Sequence, residues 1–311
     1  MKVGVVGAGA MGSLFASHLA DGGAQVWAFD QWREHVGAIN DRGLIVRRAG
    51  TESTVRINAT TDAAAAGPCD SVLVMVKYHQ TVSAMRAAAA MIGPQTTIIT
   101  LQNGLGNVEN IASVHPDSRI VFGLTTLTCE MRGPGRIEAS YANRGETYLW
   151  PADREPNSAI AAFCAALDAG GVNAMPAPDI ELRIWKKLIV NCALNTLCAI
   201  TGLSVGKLID QSDSWPLLDG VADEIAAVAR AKNIALDQTL ARAFLHQVAD
   251  EARTHDPSML IDVRHCRRTE IECLNGAVLR EAGKVGVATP FNQSLYSIIR
   301  AIESTYAERR A

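Results

Sequence analysis

Apolar residues come in short, β-branched runs through the first half of the chain and at helical spacing through the second. Lys2–Val6, Gln25–Phe29, Ser71–Val76, Thr97–Leu101 and Arg119–Phe122 predict strands. Met11–Ala20, Gln80–Met91 and Asn107–Val114 have the three-to-four spacing of helices. Strands alternating with helices predict a parallel sheet covered on both faces. Leu44–Val46 and Thr54–Ile57 suggest an extra hairpin. Thr125–Glu130, Arg136–Ser140 and Thr147–Trp150, separated by Gly-Pro-Gly and Asn-Arg-Gly turns, suggest antiparallel strands that finish the sheet.

From about Ile180 the spacing is helical throughout. An amphipathic run ends near Lys232, Asp237 can cap a helix through about Arg253, and Pro257 precedes a long helical run to about Gly283. Thr289-Pro290 places a cap before a proline at the first helical position and opens a last helix. The reading is therefore α/β: an N-terminal Rossmann-like dinucleotide-binding domain over 1–175, then an all-helical domain over 176–311.

At 311 residues, 48% hydrophobic and 20% charged, the chain can build a sizeable core. A net charge of −3 gives no basic footprint for nucleic acid and no polybasic membrane patch. The seven cysteines form no Cys-x-x-Cys and are odd in number, which fits buried thiols in a reducing compartment and no metal site. The opening apolar run is short and broken at once by glycine, so it reads as a strand rather than a signal peptide. No apolar run reaches spanning length, and the expectation is a soluble cytoplasmic protein.

Gly7-Ala-Gly9-Ala-Met-Gly12 follows the first strand and opens a helix, the context that gives a G-x-G-x-x-G its meaning. The first glycine permits a tight turn, the second a close pyrophosphate, the third close packing of helix on strand. Gly7, Gly9, Ala10, Met11 and Gly12 are thus candidate cofactor contacts, with helix N–H groups facing the phosphates. The second strand ends in Asp30, an acid placed to accept from an adenosine 2′-hydroxyl and to repel a 2′-phosphate. It favours NAD(H); Arg33 nearby leaves NADP(H) open, and Asp30 equally fits a plain turn residue.

Lys77 and Gln80 follow the fourth strand, and Asn103-Gly104 the fifth, at carboxyl ends where ligands bind in parallel sheets. Each also fits an ordinary loop or turn. Wound as a helix, Ile184–Asn195 puts Lys187, Asn191 and Asn195 in one polar stripe, whereas Lys186 falls in line with Val190 and Leu194. That ladder faces either water or a polar ligand. Glu270 is expected within a helix, one turn after Arg267, where a surface ion pair of little worth is the plain alternative to a site role. Ser258 can cap a helix, bind a ligand, or do both.

Together these pieces resemble the ketopantoate reductase family over nearly the whole chain. The resemblance rests on GAGAMG, on V-K-x-x-Q from Val76 to Gln80, on Q-N-G from Gln102 to Gly104, and on W-x-K-L-x-x-N-x-x-x-N from Trp185 to Asn195. It continues with S-M-L-x-D from Ser258, T-E-I-x-x-L-N-G from Thr269, and T-P-x-N from Thr289. The family implies reduction of a 2-oxo acid, usually 2-dehydropantoate, by hydride from a nicotinamide cofactor, NADP(H) in most members. It implies Lys187 and Glu270 as catalytic residues and Asn103, Asn191, Asn195 and Ser258 as substrate ligands, with Asn103 also near the cofactor. A homodimer is a further family expectation.

Two positions depart from the family. Members using NADPH usually carry an arginine just after the second strand, where this chain has Asp30-Gln31. Members often carry a histidine after a Pro-Gly-x-Val-x segment, where this chain has Ala139. An NADH-dependent reductase of another 2-oxo acid, or a non-catalytic dinucleotide sensor on this scaffold, are the competing readings. β-Hydroxyacid dehydrogenases share the glycine start and a Lys-x-x-x-Asn pair, but usually place a glycine-rich segment before that lysine, unlike Leu182–Lys186 here.

Overall fold

The computed structural model describes residues 1–141, 144–155 and 158–309. The chain divides into two compact units, one of residues 1–102 and 107–180, the other of residues 103–106 and 181–311.

Among its described residues the first unit has twelve strands: β1 (Lys2–Val6), β2 (Gln25–Phe29), β3 (Leu44–Arg48), β4 (Thr51–Val55), β5 (Asn58–Thr60), β6 (Ser71–Val74), β7 (Thr97–Thr100), β8 (Arg119–Thr125), β9 (Cys129–Met131), β10 (Arg136–Ala139), β11 (Glu146–Pro151) and β12 (Asn173–Pro176). Eight form one sheet in the order β12-β11-β8-β7-β6-β1-β2-β5, parallel except where β11 meets β8. Its strands are apolar at nearly every position because both faces are covered. Val3, Val5, Leu73 and Ile99 pack under the helices Ala10–Asp21 and Ser158–Ala169, while Val6, Val72, Val74 and Ile98 pack with Met85, Met91 and Ile111 on the other face. The strand order reverses at β1, whose neighbours are β2 and β6, so the glycine loop after β1 stands at a switch point.

The region after β8 differs from the sequence expectation. Only β11 and β12 extend the main sheet. β9 and β10 join the hairpin β3-β4 in a second sheet, ordered β4-β3-β10-β9, with β10 parallel to β3. The reason is burial: Ile137 of β10 is fully enclosed in the same core as Leu44 and Val46, which no pairing with β8 would supply. Two helices, Arg33–Arg42 and Ser158–Ala169, also go beyond the elements the sequence marked.

The second unit is helical, with strands absent among its described residues. The helix Trp215–Ala231 buries Leu218, Val221, Ala222, Ile225, Val228 and Ala229, one continuous stripe. It packs against Gln238–Glu251, Asn275–Val285 and Pro290–Ser304. Asp237 caps Gln238–Glu251 by accepting from the Leu240 N–H at 2.7 Å. Pro290 opens the last long helix at its first turn, but Thr289 makes no capping bond. The Glu224 carboxylate accepts from the Phe291 and Asn292 N–H groups instead, at 2.7 and 2.9 Å. Among the described residues no helix is long and apolar enough to cross a membrane.

The long helical run expected after Pro257 breaks at its centre. Ser258–Arg264 is one helix and Asn275–Val285 another, so Glu270 lies in a bend between them. The stop is a Schellman motif: Arg267 N–H returns to Asp262 C=O at 2.8 Å and Cys266 N–H to Val263 C=O at 3.0 Å. Cys266 takes φ +50°, the left-handed position normally given to glycine. Arg267 pairs with Asp262 at 3.0 Å, leaving Glu270 to other partners.

The glycines of the loop after β1 separate packing from access. A Cβ on Gly12 would stand 1.8 Å from the Gly7 carbonyl oxygen, whereas one on Gly9 would meet nothing within 4 Å. Gly12→Ala should therefore cost about 1–3 kcal/mol of stability, as overpacked sites do. Gly9→Ala should change it by less than about 0.5 kcal/mol. Denaturant unfolding of the cofactor-free protein reads both.

Candidate active site

The first unit presents a loop suited to a dinucleotide. Gly7 turns at φ +91° and donates to the Phe29 carbonyl at 2.9 Å, which binds the loop to the end of β2. Gly7 and Gly12 are buried, Gly9 is exposed, and Ala10 and Met11 are half-buried at the first turn of the helix. The first N–H groups of a helix have no acceptor within it, and the empty space before Gly9 lets a phosphate approach the backbone. The residues present thus fit a pyrophosphate.

Half-buried Asp30 braces this loop. Its carboxylate accepts from the Ala8 N–H at 2.7 Å and from the Trp32 N–H at 2.9 Å. The second bond is the Asx turn that the sequence left open as an alternative. A carboxylate has room for more than two donors, so the brace leaves it capable of accepting from a ribose hydroxyl. Buried His35 adds a support that the sequence did not reveal. Its Nδ1 accepts from the Gly135 N–H at 2.9 Å, so its Nε2–H faces the Ser13 hydroxyl at 3.1 Å. Ser13 in turn donates to the Ala8 carbonyl at 2.7 Å. Desolvation lowers the imidazole pKa, against a smaller upward pull from Asp30, and the neutral ring suits both contacts.

The end of β6 lies against the same loop, since a Cβ on Gly7 would meet the Val76 nitrogen at 2.8 Å. Lys77 and Gln80 follow in a tight turn: Gln80 donates its N–H to the Lys77 carbonyl at 2.8 Å and accepts from the Lys77 N–H through its side chain at 3.3 Å. Gln102 ties the end of β7 alongside, donating to the Val76 carbonyl at 2.6 Å and the Thr81 hydroxyl at 2.9 Å.

The second unit holds the polar ladder. Ile180–Val190 is α-helical, but Asn191–Asn195 forms a π turn before the α-helix resumes at Thr196. The wider turn keeps residues four apart on a shared side, and Asn195 donates from Nδ2 to Asn191 Oδ1 at 3.0 Å. The two lysines part company as their spacing implied. Lys186 lies over the Phe244 ring, 5.5 Å from its centroid. Lys187 is half-buried, yet its ammonium is desolvated: burial lowers its pKa to about 8, against a weaker upward pull from Glu270.

Glu270 is brought to this group by its bend. The Thr269 N–H and hydroxyl both bind Glu303 Oε1 at 2.7 Å, which fixes the start of the bend. Asn103 donates to Glu270 Oε2 at 3.4 Å, and the Leu105 N–H to the Cys273 carbonyl at 2.9 Å. Between them Gly104 turns at φ +78°, and a Cβ there would collide with the Cys273 carbonyl at 2.1 Å. This contact seats residues 103–106 on the second unit.

Lys187, Glu270, Asn103, Asn191 and Asn195 therefore share one unit. Ser258 differs: it is exposed, begins its helix after Pro257 without a side-chain capping bond, and is not hydrogen-bonded to the others among the described residues. All seven cysteines are free, and burial drives the Cys192 and Cys273 thiols well above their ordinary pKa, out of the range of a nucleophilic thiolate. Among the described residues no group of three or more His, Cys, Asp or Glu could hold a metal ion.

Known proteins resemble this chain over nearly its whole length. The family pattern of ketopantoate reductase PanE/ApbA matches residues 3–153, and that of its C-terminal region matches residues 179–303. A 2-dehydropantoate 2-reductase of Streptococcus pyogenes serotype M18 is 28% identical over 98% of both chains. A D-mandelate dehydrogenase, solved with NADH and anilino(oxo)acetate, superposes with a TM-score of 0.91 at 29% identity over 99% of this chain and 100% of that one. A PanE/ApbA family ketopantoate reductase from Ralstonia eutropha JMP134 gives 0.90 at 31%, with the same coverage. With a Rossmann-like first unit, a helical second unit and both family patterns in place, the chain belongs to the ketopantoate reductase family of nicotinamide-dependent oxidoreductases.

Proposed function

We propose that this protein reduces 2-dehydropantoate to pantoate. The observation that carries the reading is the desolvated Lys187 ammonium, poised near pH 8 beside Glu270 and on the face of the Asn191–Asn195 pair. The nicotinamide cofactor, when bound, supplies hydride to the 2-oxo carbon. Charge then develops on the carbonyl oxygen, where Lys187 stabilises it and delivers a proton. Glu270 holds that ammonium in its charged form. Asn103, Asn191, Asn195 and Ser258 receive the carboxylate and hydroxyl groups of the substrate without adding charge. In the first unit, Gly7, Gly9, Ala10, Met11 and Gly12 take the pyrophosphate, Asp30 the adenosine ribose, and Lys77 and Gln80 the neighbouring face of the cofactor.

A second reading keeps the chemistry and changes the acid and the cofactor: an NADH-dependent reductase of another 2-oxo acid, including aryl ones. Asp30, where NADPH-using relatives carry arginine, supports it, as does the likeness to a D-mandelate dehydrogenase solved with NADH. Initial rates for 2-dehydropantoate and a panel of aliphatic and aryl 2-oxo acids, each with NADH and NADPH, separate the two. Preference for another acid overturns the first.

Lys187→Ala should lower kcat by about 100- to 10,000-fold, the range of a lost general acid. Lys186→Ala should change it by less than about threefold, since Lys186 is engaged with the Phe244 ring and a single cation–π contact is weak. Equal losses in steady-state rates would place the proton donor elsewhere.

Reduction requires protonated Lys187, whose protonation is half lost at about pH 8 and falls further above it. The kcat for reduction should therefore fall as pH rises through about 8, and the reverse oxidation should rise there. Glu270→Gln removes an upward pull on the lysine and should move both limbs to lower pH. A pH–rate profile with an unmoved break would remove Glu270 from this role.

Asp30→Ala should weaken both cofactors, because the loop loses its brace, yet raise the ratio of kcat/KM for NADPH over NADH. An unchanged ratio would take Asp30 out of the ribose site.

A further inference from the structure

Asn275 and Asn292 lie in the motifs of the second unit but have no part in the chemistry above. Both are completely buried. Asn275 Nδ2 donates to the Cys192 carbonyl at 3.2 Å and to Asn292 Oδ1 at 3.1 Å, and its Oδ1 accepts from the Thr196 hydroxyl at 2.8 Å. The Thr196 hydroxyl also lies 3.3 Å from the Asn191 carbonyl. Asn292 is itself held by buried Glu224, donating to it from Nδ2 at 2.8 Å and from its backbone N–H at 2.9 Å.

Two of these contacts reach the π turn directly, at the Cys192 and Asn191 carbonyls, and the others stand behind them. A π turn breaks the α-helical bonding register and releases carbonyls that must find other donors. The carbonyls of Asn191 and Cys192 face the Thr196 hydroxyl and the Asn275 amide. Asn275 spends both donors, and its fixed orientation comes from Asn292 and Glu224 behind it.

We propose that Asn275, oriented through Asn292 and Glu224, is a positioning residue that holds the 191–195 turn open and so sets the Asn191–Asn195 pair relative to Lys187. Without it the turn tightens toward α geometry: the two asparagines stay on the lysine's side, but their amides shift relative to its ammonium. The inference rests on the proposed substrate site and deepens it.

Asn275→Ala and Thr196→Val each remove one support, and Thr196→Ser restores the hydroxyl. The readouts are acid KM and kcat at a temperature where each variant is fully folded, cofactor Kd from nicotinamide fluorescence, and the alkaline break in the pH–rate profile. Asn275→Ala and Thr196→Val should raise the KM for the 2-oxo acid by about tenfold and lower kcat, with cofactor Kd unchanged. Thr196→Ser should behave as the parent. Should Asn275→Ala fail to fold, Thr196→Val against Thr196→Ser carries the test alone. Variants that lose thermal stability but keep acid KM and kcat within about twofold overturn the inference. If Lys187→Ala abolishes turnover while these variants act as the parent, only the positioning role fails. If Lys187→Ala keeps full turnover, the site reading fails and this inference with it.

Discussion

An ammonium taken out of water loses its hydration and leans toward the neutral amine unless a negative group stands near it. Lys187 is in that position, and Glu270 is the carboxylate that opposes the loss. Much of the second unit can be understood as the means of bringing the two together. The lysine comes on a helix, where its place is set by winding. The glutamate comes on a bend, and the bend needs its own supports. Cys266 ends the preceding helix in a left-handed turn, Thr269 is tied to Glu303, and residues 103–106 fasten against the Cys273 carbonyl. A glutamate on an uninterrupted helix would sit on whichever face its spacing dictated. The break frees it from that constraint.

The first unit solves a different problem, that of letting a backbone come close to something large and anionic without collapsing. Two glycines are consumed in packing, with Gly12 pressed on the Gly7 carbonyl, and one is left open at Gly9. The loop so exposed would be loose without its braces. Asp30 and the His35–Ser13 pair both act on Ala8, one through its N–H and the other through its carbonyl. A residue proposed as a ribose ligand is therefore also part of the wall, and bracing leaves a carboxylate lone pairs to spare for that proposed role.

The features that local spacing controls were legible in the sequence. The glycine loop followed from its own steric needs, and the division between Lys186 and Lys187 followed from helical winding. Both survive in the structure, with Lys186 on Phe244 and Lys187 beside Glu270. The π turn was invisible because positions four apart share a side in either kind of helix. The bend at Glu270 was hidden because a cysteine, not a glycine, takes the left-handed residue at the helix end. The second sheet was hidden because Ile137 chooses its neighbours by distant burial against Leu44 and Val46, which no nearby turn announces. Arg33–Arg42 carries few apolar residues, and Ser158–Ala169 is too uniformly apolar to show a face. His35 carries no signal of its own in the sequence; only its buried contacts give it a task.

Residues 103–106 belong to the second unit although most of the first unit's chain surrounds them in sequence. The helical half is therefore not a contiguous module. A fragment beginning at Glu181 would lack the strip that covers the Cys273 carbonyl and would leave Glu270 without Asn103. During synthesis the strip emerges long before the surface it fits and must wait for it. Shuffling either half onto another protein by a single cut would sever this splice, so the two halves are bound to travel together as one inherited piece.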